Sequence, residues 1–334
     1  MEKMACARDI RQIPSPEARD RMLRACVGIV SLLFVSCSPD LVRRSSMPAK
    51  APEALEAVRI LGARHGEMAG LAGPEGVCLD LRGRVYVADT GNDRIVVFSS
   101  QGDLLYEFGH RGWREGEFDA PIDVAVVSDL VFVVDWGNER IQTFGRDGDP
   151  RGSVSIPDER GPWRPAGLVL GSAGALYFSD GERDRVVGLN RAGQIAFEIG
   201  GFGHWHGQLD DPRGVEVTDD QRLYVADSGN GRVEIFDALG AWESSLVGGD
   251  LVMPWDVCAD GMGNLFVSDA GSDRVCVYGA DGEFLFSVGT EGLRSGGLRQ
   301  PTGIAFDGTE FIYVADKGND RIQVFRIVYK ARNK

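Results

Sequence analysis

The chain has 334 residues, 43% of them apolar, and carries 50 Asp or Glu against 36 Lys or Arg for a formal charge of −14. That is apolar enough for a sizeable core and too acidic to favour nucleic acid as a partner. The imbalance is regional: residues 1–53 hold nine Lys or Arg and six Asp or Glu, a net of +3, which leaves about −17 on the remainder.

In chain order, Met22-Leu23-Arg24 precedes an apolar run from Ala25 to Val35, closed by Ser36-Cys37. A basic start, a short apolar stretch and a small residue before a cut site describe a secretory signal. The run is too short to span a bilayer comfortably. Residues 1–36 are therefore expected to be a leader, with Met22 as an alternative start; a disordered cytosolic leader is the competing reading. Phe34-Val35-Ser36-Cys37 resembles the bacterial lipoprotein box. That resemblance implies lipidation of Cys37 as the mature N-terminus, and Ser38 after it implies the outer membrane. Residues 37–53, with Pro39, Pro48 and Pro52, read as a flexible tether.

From residue 54 onward one stretch is written six times, most clearly as Val87-Ala88-Asp89-Thr90-Gly91-Asn92-Asp93-Arg94-Ile95 and Val314-Ala315-Asp316-Lys317-Gly318-Asn319-Asp320-Arg321-Ile322. Each copy has an Asp five residues before an Arg: Asp89/Arg94, Asp135/Arg140, Asp180/Arg185, Asp227/Arg232, Asp269/Arg274 and Asp316/Arg321. A proline stands 14 or 15 residues before each Asp, and successive Asp positions are 46, 45, 47, 42 and 47 apart. Periods of this size mean a repeat architecture. Within one period Val77–Leu79, Arg84–Ala88, Ile95–Phe98 and Leu104–Phe108 read as antiparallel strands a to d. Gly91 and Asn92 are expected to supply the b–c turn through positive φ. Both faces of such a unit must pack on neighbours, which explains why Ile95–Phe98 is apolar throughout. The fold class is all-β: a six-bladed β-propeller over residues 54–334. The last blade lacks a strand d, and Glu56–Gly62 has the look of one, so an N-terminal strand is expected to close the ring and cover its edge.

The P-x-G entry, the Y-V-A-D strand end, the G-N-x-R-I turn and the D-G turn before strand d resemble the NHL-repeat family. Blades one, four and six match best; blade three departs most, with Gly181-Glu182-Arg183-Asp184 at its turn. The resemblance implies a propeller whose relatives include RNA-binding heads, protein-binding heads of receptors and some enzymes, so it constrains fold far more than function. The family's amidating lyases place histidines after the entry prolines, and none of those positions is His here. Its lactonases hold calcium in the channel with Glu, Asn and Asp, a pattern this chain does not reproduce.

A pair present in every blade serves the repeat, so the six Asp/Arg pairs read as structural. Residues that break the repeat at the channel mouth are better ligand candidates: Glu75, Asp123, Arg213, Trp255 and Asp256. His204-Trp205-His206 stands out in a chain with only four histidines. Two His one residue apart need a third zinc ligand, for which His110 is the candidate. Glu75, Asp123 and Asp256 are the calcium candidates. Trp113, Trp136 and Trp205 are expected on the same end as the long d–a loops, the top. Cys78, Cys258 and Cys276 have no disulfide or metal spacing and read as buried small residues.

The reading favours a binding or scaffold head without a cofactor, presented from a bacterial envelope to a protein, peptide or glycan. It touches the membrane only through its N-terminal lipid. The alternative is a metal-dependent lyase or lactone hydrolase at the channel mouth.

Overall fold

The computed structural model describes residues 50–62, 70–154, 163–171 and 174–330. The leader, Cys37 and residues 38–49 of the expected tether lie outside the described residues. The strands form six four-stranded antiparallel sheets, and each innermost strand contacts those of both neighbouring sheets. The molecule is a six-bladed β-propeller.

Blade one comprises Val77–Leu79, Val85–Asp89, Arg94–Phe98 and Leu104–Phe108; blade two, Pro121–Val127, Leu130–Asp135, Arg140–Gly145 and Pro150–Ser153. Blade three comprises Pro165–Leu170, Leu176–Asp180, Arg185–Leu189 and Ile195–Gly200; blade four, Pro212–Val217, Leu223–Asp227, Arg232–Phe236 and Trp242–Ser245. Blade five comprises Pro254–Ala259, Leu265–Asp269, Arg274–Tyr278 and Phe284–Val288; blade six, Pro301–Phe306, Phe311–Asp316, Arg321–Tyr329 and Pro52–Leu61. The last strand is the N-terminal one. It pairs antiparallel with Arg321–Tyr329, from Leu61 opposite Ile322 to Pro52 opposite Tyr329. It begins two residues before the expected ring boundary, because the backbone is already held there: Lys330 N–H donates to the Ala51 carbonyl at 3.2 Å, and the Asn264 amide to that of Lys50 at 3.0 Å.

Strand b of blade one is buried at all five positions, as a strand packed on both faces must be. Between blades six and one, Val77, Val85, Val87 and Val96 pack with Tyr313, Ala315, Ile322 and Val324. Each side chain buried in this way contributes about 1.5–3 kcal/mol. The entry prolines start strand a, where a missing N–H is tolerated, and pair across to the repeat Asp, as Pro212 does with Asp227.

The b–c turn is built differently from the sequence expectation. Thr90–Asn92 is a short 3₁₀ turn, and the left-handed residue is the next one, Asp93, at φ 53°. Glu139, Asp184, Gly231, Asp273 and Asp320 take the same conformation. Gly91 is required by crowding: a Cβ there would lie 2.6 Å from the Ala72 carbonyl oxygen. Asn92 is required for its amide, which donates to Asp89 Oδ2 at 2.9 Å. Cys258 and Cys276 are buried as expected, whereas Cys78, packed against the core between blades one and two, is only half-buried.

Candidate functional site

All six repeat pairs are in contact. Arg Nε lies 2.7 to 3.0 Å from the Asp carboxylate in five blades, and in blade five Arg274 reaches Asp269 through Nη2 at 3.4 Å. Each Asp is fully buried. Its backbone donor comes from the preceding d–a loop and not from its own turn, as when Ala72 N–H bonds Asp89 Oδ1 at 2.7 Å. The pair therefore ties a blade's turn to the loop that enters it. Nothing in this arrangement leaves the carboxylate free for a ligand.

The channel mouth is where the repeat breaks. The second residue after each entry proline forms a ring of close approach between innermost strands: Gly76, Asp123, Gly167, Gly214, Asp256 and Gly303. A Cβ on Gly76 would sit 2.6 Å from Asp123 Cα, one on Gly214 2.6 Å from Asp256 Cα, and one on Gly303 2.9 Å from Gly76 Cα. Four glycines thus let the innermost strands touch. The two aspartates belong to blades two and five, which face each other across a six-bladed ring. Asp123 accepts from Val124 N–H at 2.8 Å and, across the blade boundary, from Leu168 N–H at 2.8 Å. Asp256 does the same with Val257 at 2.9 Å and Ile304 at 3.0 Å.

Burial pushes the Asp123 carboxyl up to about 7, against the pull of its two N–H donors and with help from the charge of Glu75. Asp256 is raised by burial first and then by Asp123. Lower in the channel Glu216, bonded by Ala259 N–H, is pushed by burial to about 8. Burial thus raises three channel carboxyls, Asp123, Asp256 and Glu216, above the ordinary carboxylate range.

Beside these residues, side chains of blades four and six converge on one aromatic ring of blade five, and one of blade one holds the second cation. Arg213 of blade four lies over the Trp255 ring of blade five, its guanidinium carbon 4.7 Å from the centroid. Lys317 of blade six places Nζ 5.5 Å from the same centroid and 2.7 Å from Glu75 Oε1 of blade one. Arg213 is steadied by Asp211 Oδ2 at 2.8 Å. Cation–π contacts of this kind are worth about 0.5–2 kcal/mol each, and Glu75 is only 7% exposed. On the opposite side of the mouth Ile122 and Ala166 are buried, and Trp136 is half-buried with Arg164 over its ring at 5.2 Å.

Glu75, Arg213 and Trp255 are thus brought together, with Asp123 and Asp256 beside them. Lys317 is the member that sequence reasoning missed. It is detectable: the residue after the repeat Asp is Thr90, Trp136, Gly181, Ser228 or Ala270 elsewhere, and only here a cation.

The His-Trp-His loop lies apart from this group. His204 Nδ1 is 2.8 Å from Asn230 Oδ1, and His206 stacks on Trp242 with centroids 4.4 Å apart. His110 is 3.7 Å from Glu117. Among the described residues no three His, Cys, Asp or Glu side chains gather as a metal site.

Residues 71–98, 209–236 and 298–325 match the NHL repeat family. They are the copies in blades one, four and six. The chain is a six-bladed β-propeller in which these three copies match the NHL repeat. No curated protein matches it. Among solved structures it is similar to a putative gluconolactonase at 17% identity and TM-score 0.65, over 86% of this chain and 97% of that one. It is similar to a gluconolactonase from Xanthomonas campestris at 17% and 0.61, over 84% and 99%. Virginiamycin B lyase from Staphylococcus aureus is a third such structure, at 16% and 0.58, over 77% and 96%. At these identities the likeness is one of fold.

Proposed function

We propose that the protein is a binding head that takes an acidic ligand, a glycan or a peptide, at its channel mouth. The observation that carries this reading is the convergence of Arg213 and Lys317 on Trp255, with Glu75 holding Lys317. Two cations fixed beside one aromatic ring present charge and a flat apolar surface together, which suits a ring-bearing or extended ligand with carboxylates. Titration with a panel of acidic glycans and peptides, read by tryptophan fluorescence, tests it. Trp255→Ala and Lys317→Ala should each abolish capture; capture that ignores both changes would sink the reading.

A second reading is supported by Asp123 and Asp256. A carboxyl that holds a proton near pH 7 is suited to donate it to a leaving group. The folds of the gluconolactonases and the streptogramin-type lyase make lactones and streptogramin B the substrates to try. Turnover lost in Asp123→Asn would favour this reading, and no turnover of either substrate would remove its support.

In both readings Cys37 holds the head in a bacterial envelope. Cys37→Ala should release it from membranes on fractionation, and continued membrane association would count against the anchor.

A further inference from the structure

Strand c alternates around the ring in a way that the repeat Asp/Arg pairs do not. Seven residues after the repeat Asp stand Gln142, Glu234 and Gln323 in blades two, four and six, and Val96, Val187 and Cys276 in blades one, three and five. The three polar side chains are fully buried. Gln142 donates to the Glu117 carbonyl at 2.7 Å and accepts from Gly116 N–H at 3.0 Å. Gln323 repeats this with the carbonyl of Gly297 at 2.5 Å and Gly296 N–H at 3.0 Å. Glu234, which has no donor, takes Trp242 Nε1 at 2.7 Å, and Arg232 bonds the Trp205 and Gln208 carbonyls at 2.9 Å. Arg140 and Arg321 likewise hold the carbonyls of Arg114 at 2.7 Å and Leu293 at 2.6 Å. In all three blades, buried groups clamp the backbone of the entering loop.

Each clamped loop ends in an exposed apolar tip. Trp113 is 73% exposed, Trp205 79% and Leu293 76%. Each tip is followed by a basic or imidazole side chain: Trp113-Arg114, Trp205-His206 and Leu293-Arg294. The exposed charges of these loops are Arg111, Arg114, Arg294 and Arg299 against Glu115 and Glu291, in a ring whose net charge is strongly negative. Val252 is also exposed in the loop entering blade five, beside Asp250 and without a basic neighbour.

We infer that these three tips form a tripod that seats the upper rim of the propeller on an anionic lipid surface. Among the described residues, the three tips stand on alternate blades of one rim, so together they define a plane. An exposed indole or leucine beside a basic or imidazole side chain suits a bilayer interface, where an indole sits at the headgroups and a guanidinium meets phosphate. The contact is made by side chains at loop tips and is therefore interfacial. The tips stand on the same end as the mouth, so this seating turns the mouth towards the headgroups; the inference rests on the tip residues and not on what the mouth binds.

The test uses the full chain and vesicles of phosphatidylglycerol with brominated phosphatidylcholine, which quenches nearby indoles. Residues 1–49 contain no tryptophan, so insertion of the leader is silent. The expected result is quenching of the wild type, and vesicle affinity about tenfold lower in Leu293→Asp and several-fold lower in Arg294→Glu, although neither change removes an indole. Arg294→Glu keeps the test open should Leu293→Asp not fold. Absence of quenching, quenching equal in wild type and variants, or an indole response to soluble glycans but not to vesicles would each overturn the tripod.

Discussion

Blades two, four and six share a framework with blades one, three and five but clamp their loops differently. In blade six the Asp316 carboxylate is bonded by Arg321 Nε, the Asn319 amide, Gln323 Nε2 and Arg299 N–H. In blade five Asp269 has Met253 N–H at 2.9 Å, longer bonds from Val252 and one Arg274 contact at 3.4 Å. Ser272 there replaces the asparagine. One buried charge, with the same partner type five residues on, is thus embedded in two networks of different strength. The repeat motif alone does not measure how firmly a loop is held.

The sharpest way to break this contrast is to delete the charge. Asp316→Ala should cost about 3–5 kcal/mol, as removal of one partner from a buried pair does, and Asp269→Ala measurably less. Equal losses in denaturant melts would show that the extra bonds in blade six add nothing. Next in size, Gln323→Val should cost about 1–3 kcal/mol, because it leaves Gly296 N–H without its partner and takes one of two donors from the Gly297 carbonyl, which keeps Arg321 Nη2. Hydrogen exchange at residues 290–298 should quicken with it. The reciprocal Val96→Gln should also destabilise, since it buries an amide where the wild type has an apolar contact; a stabilised protein would mean that the loop entering blade one can be clamped in the same way.

The channel sharpens the comparison by ignoring it, for Asp123 lies in an even blade and Asp256 in an odd one. Their carboxyls, and that of Glu216, have folded values above the unfolded ones. The folded state therefore binds more protons than the unfolded state between about pH 4 and about pH 8. Stability from these groups is complete below that window and is lost as the pH rises through it. Melting temperature should fall across the window in the wild type, and Asp123→Asn should flatten the fall. Smallest of all, Trp113→Ala should change stability by no more than about 0.5 kcal/mol, because the tip side chain belongs to no core.

Much of this was legible in the residues. The period, the entry prolines and the missing strand d define the ring and its closure. At the mouth, Glu75, Arg213 and Trp255 stand out because they interrupt a repetitive text, and Lys317 answers to the same rule one position after the repeat Asp. The alternation of Gln142, Glu234 and Gln323 with valines and a cysteine is equally visible as text. Its meaning is not, because the clamp closes on loop carbonyls whose approach depends on the neighbouring blade. The left-handed residue of the b–c turn was misplaced for a related reason. Gly91 and Asn92 have the composition of a positive-φ turn, yet their presence answers to a crowded carbonyl and to the Asp89 carboxylate. That Asp123 faces Asp256 follows only from closing six blades into a circle.

The pairing of Pro52–Leu61 with Arg321–Tyr329 has a kinetic consequence. Residues some 270 positions apart in the chain, such as Glu56 and Arg326, must meet before the sixth sheet is complete. Contacts of such long sequence separation slow folding. Until residues 321–329 leave the ribosome, the N-terminal strand has no partner and blades one and five flank an open gap. A permuted gene that joined the two strands by a short hairpin and opened the chain at the exposed turn around Leu239 would make that closure local. It should speed the final folding phase while leaving the finished ring unchanged.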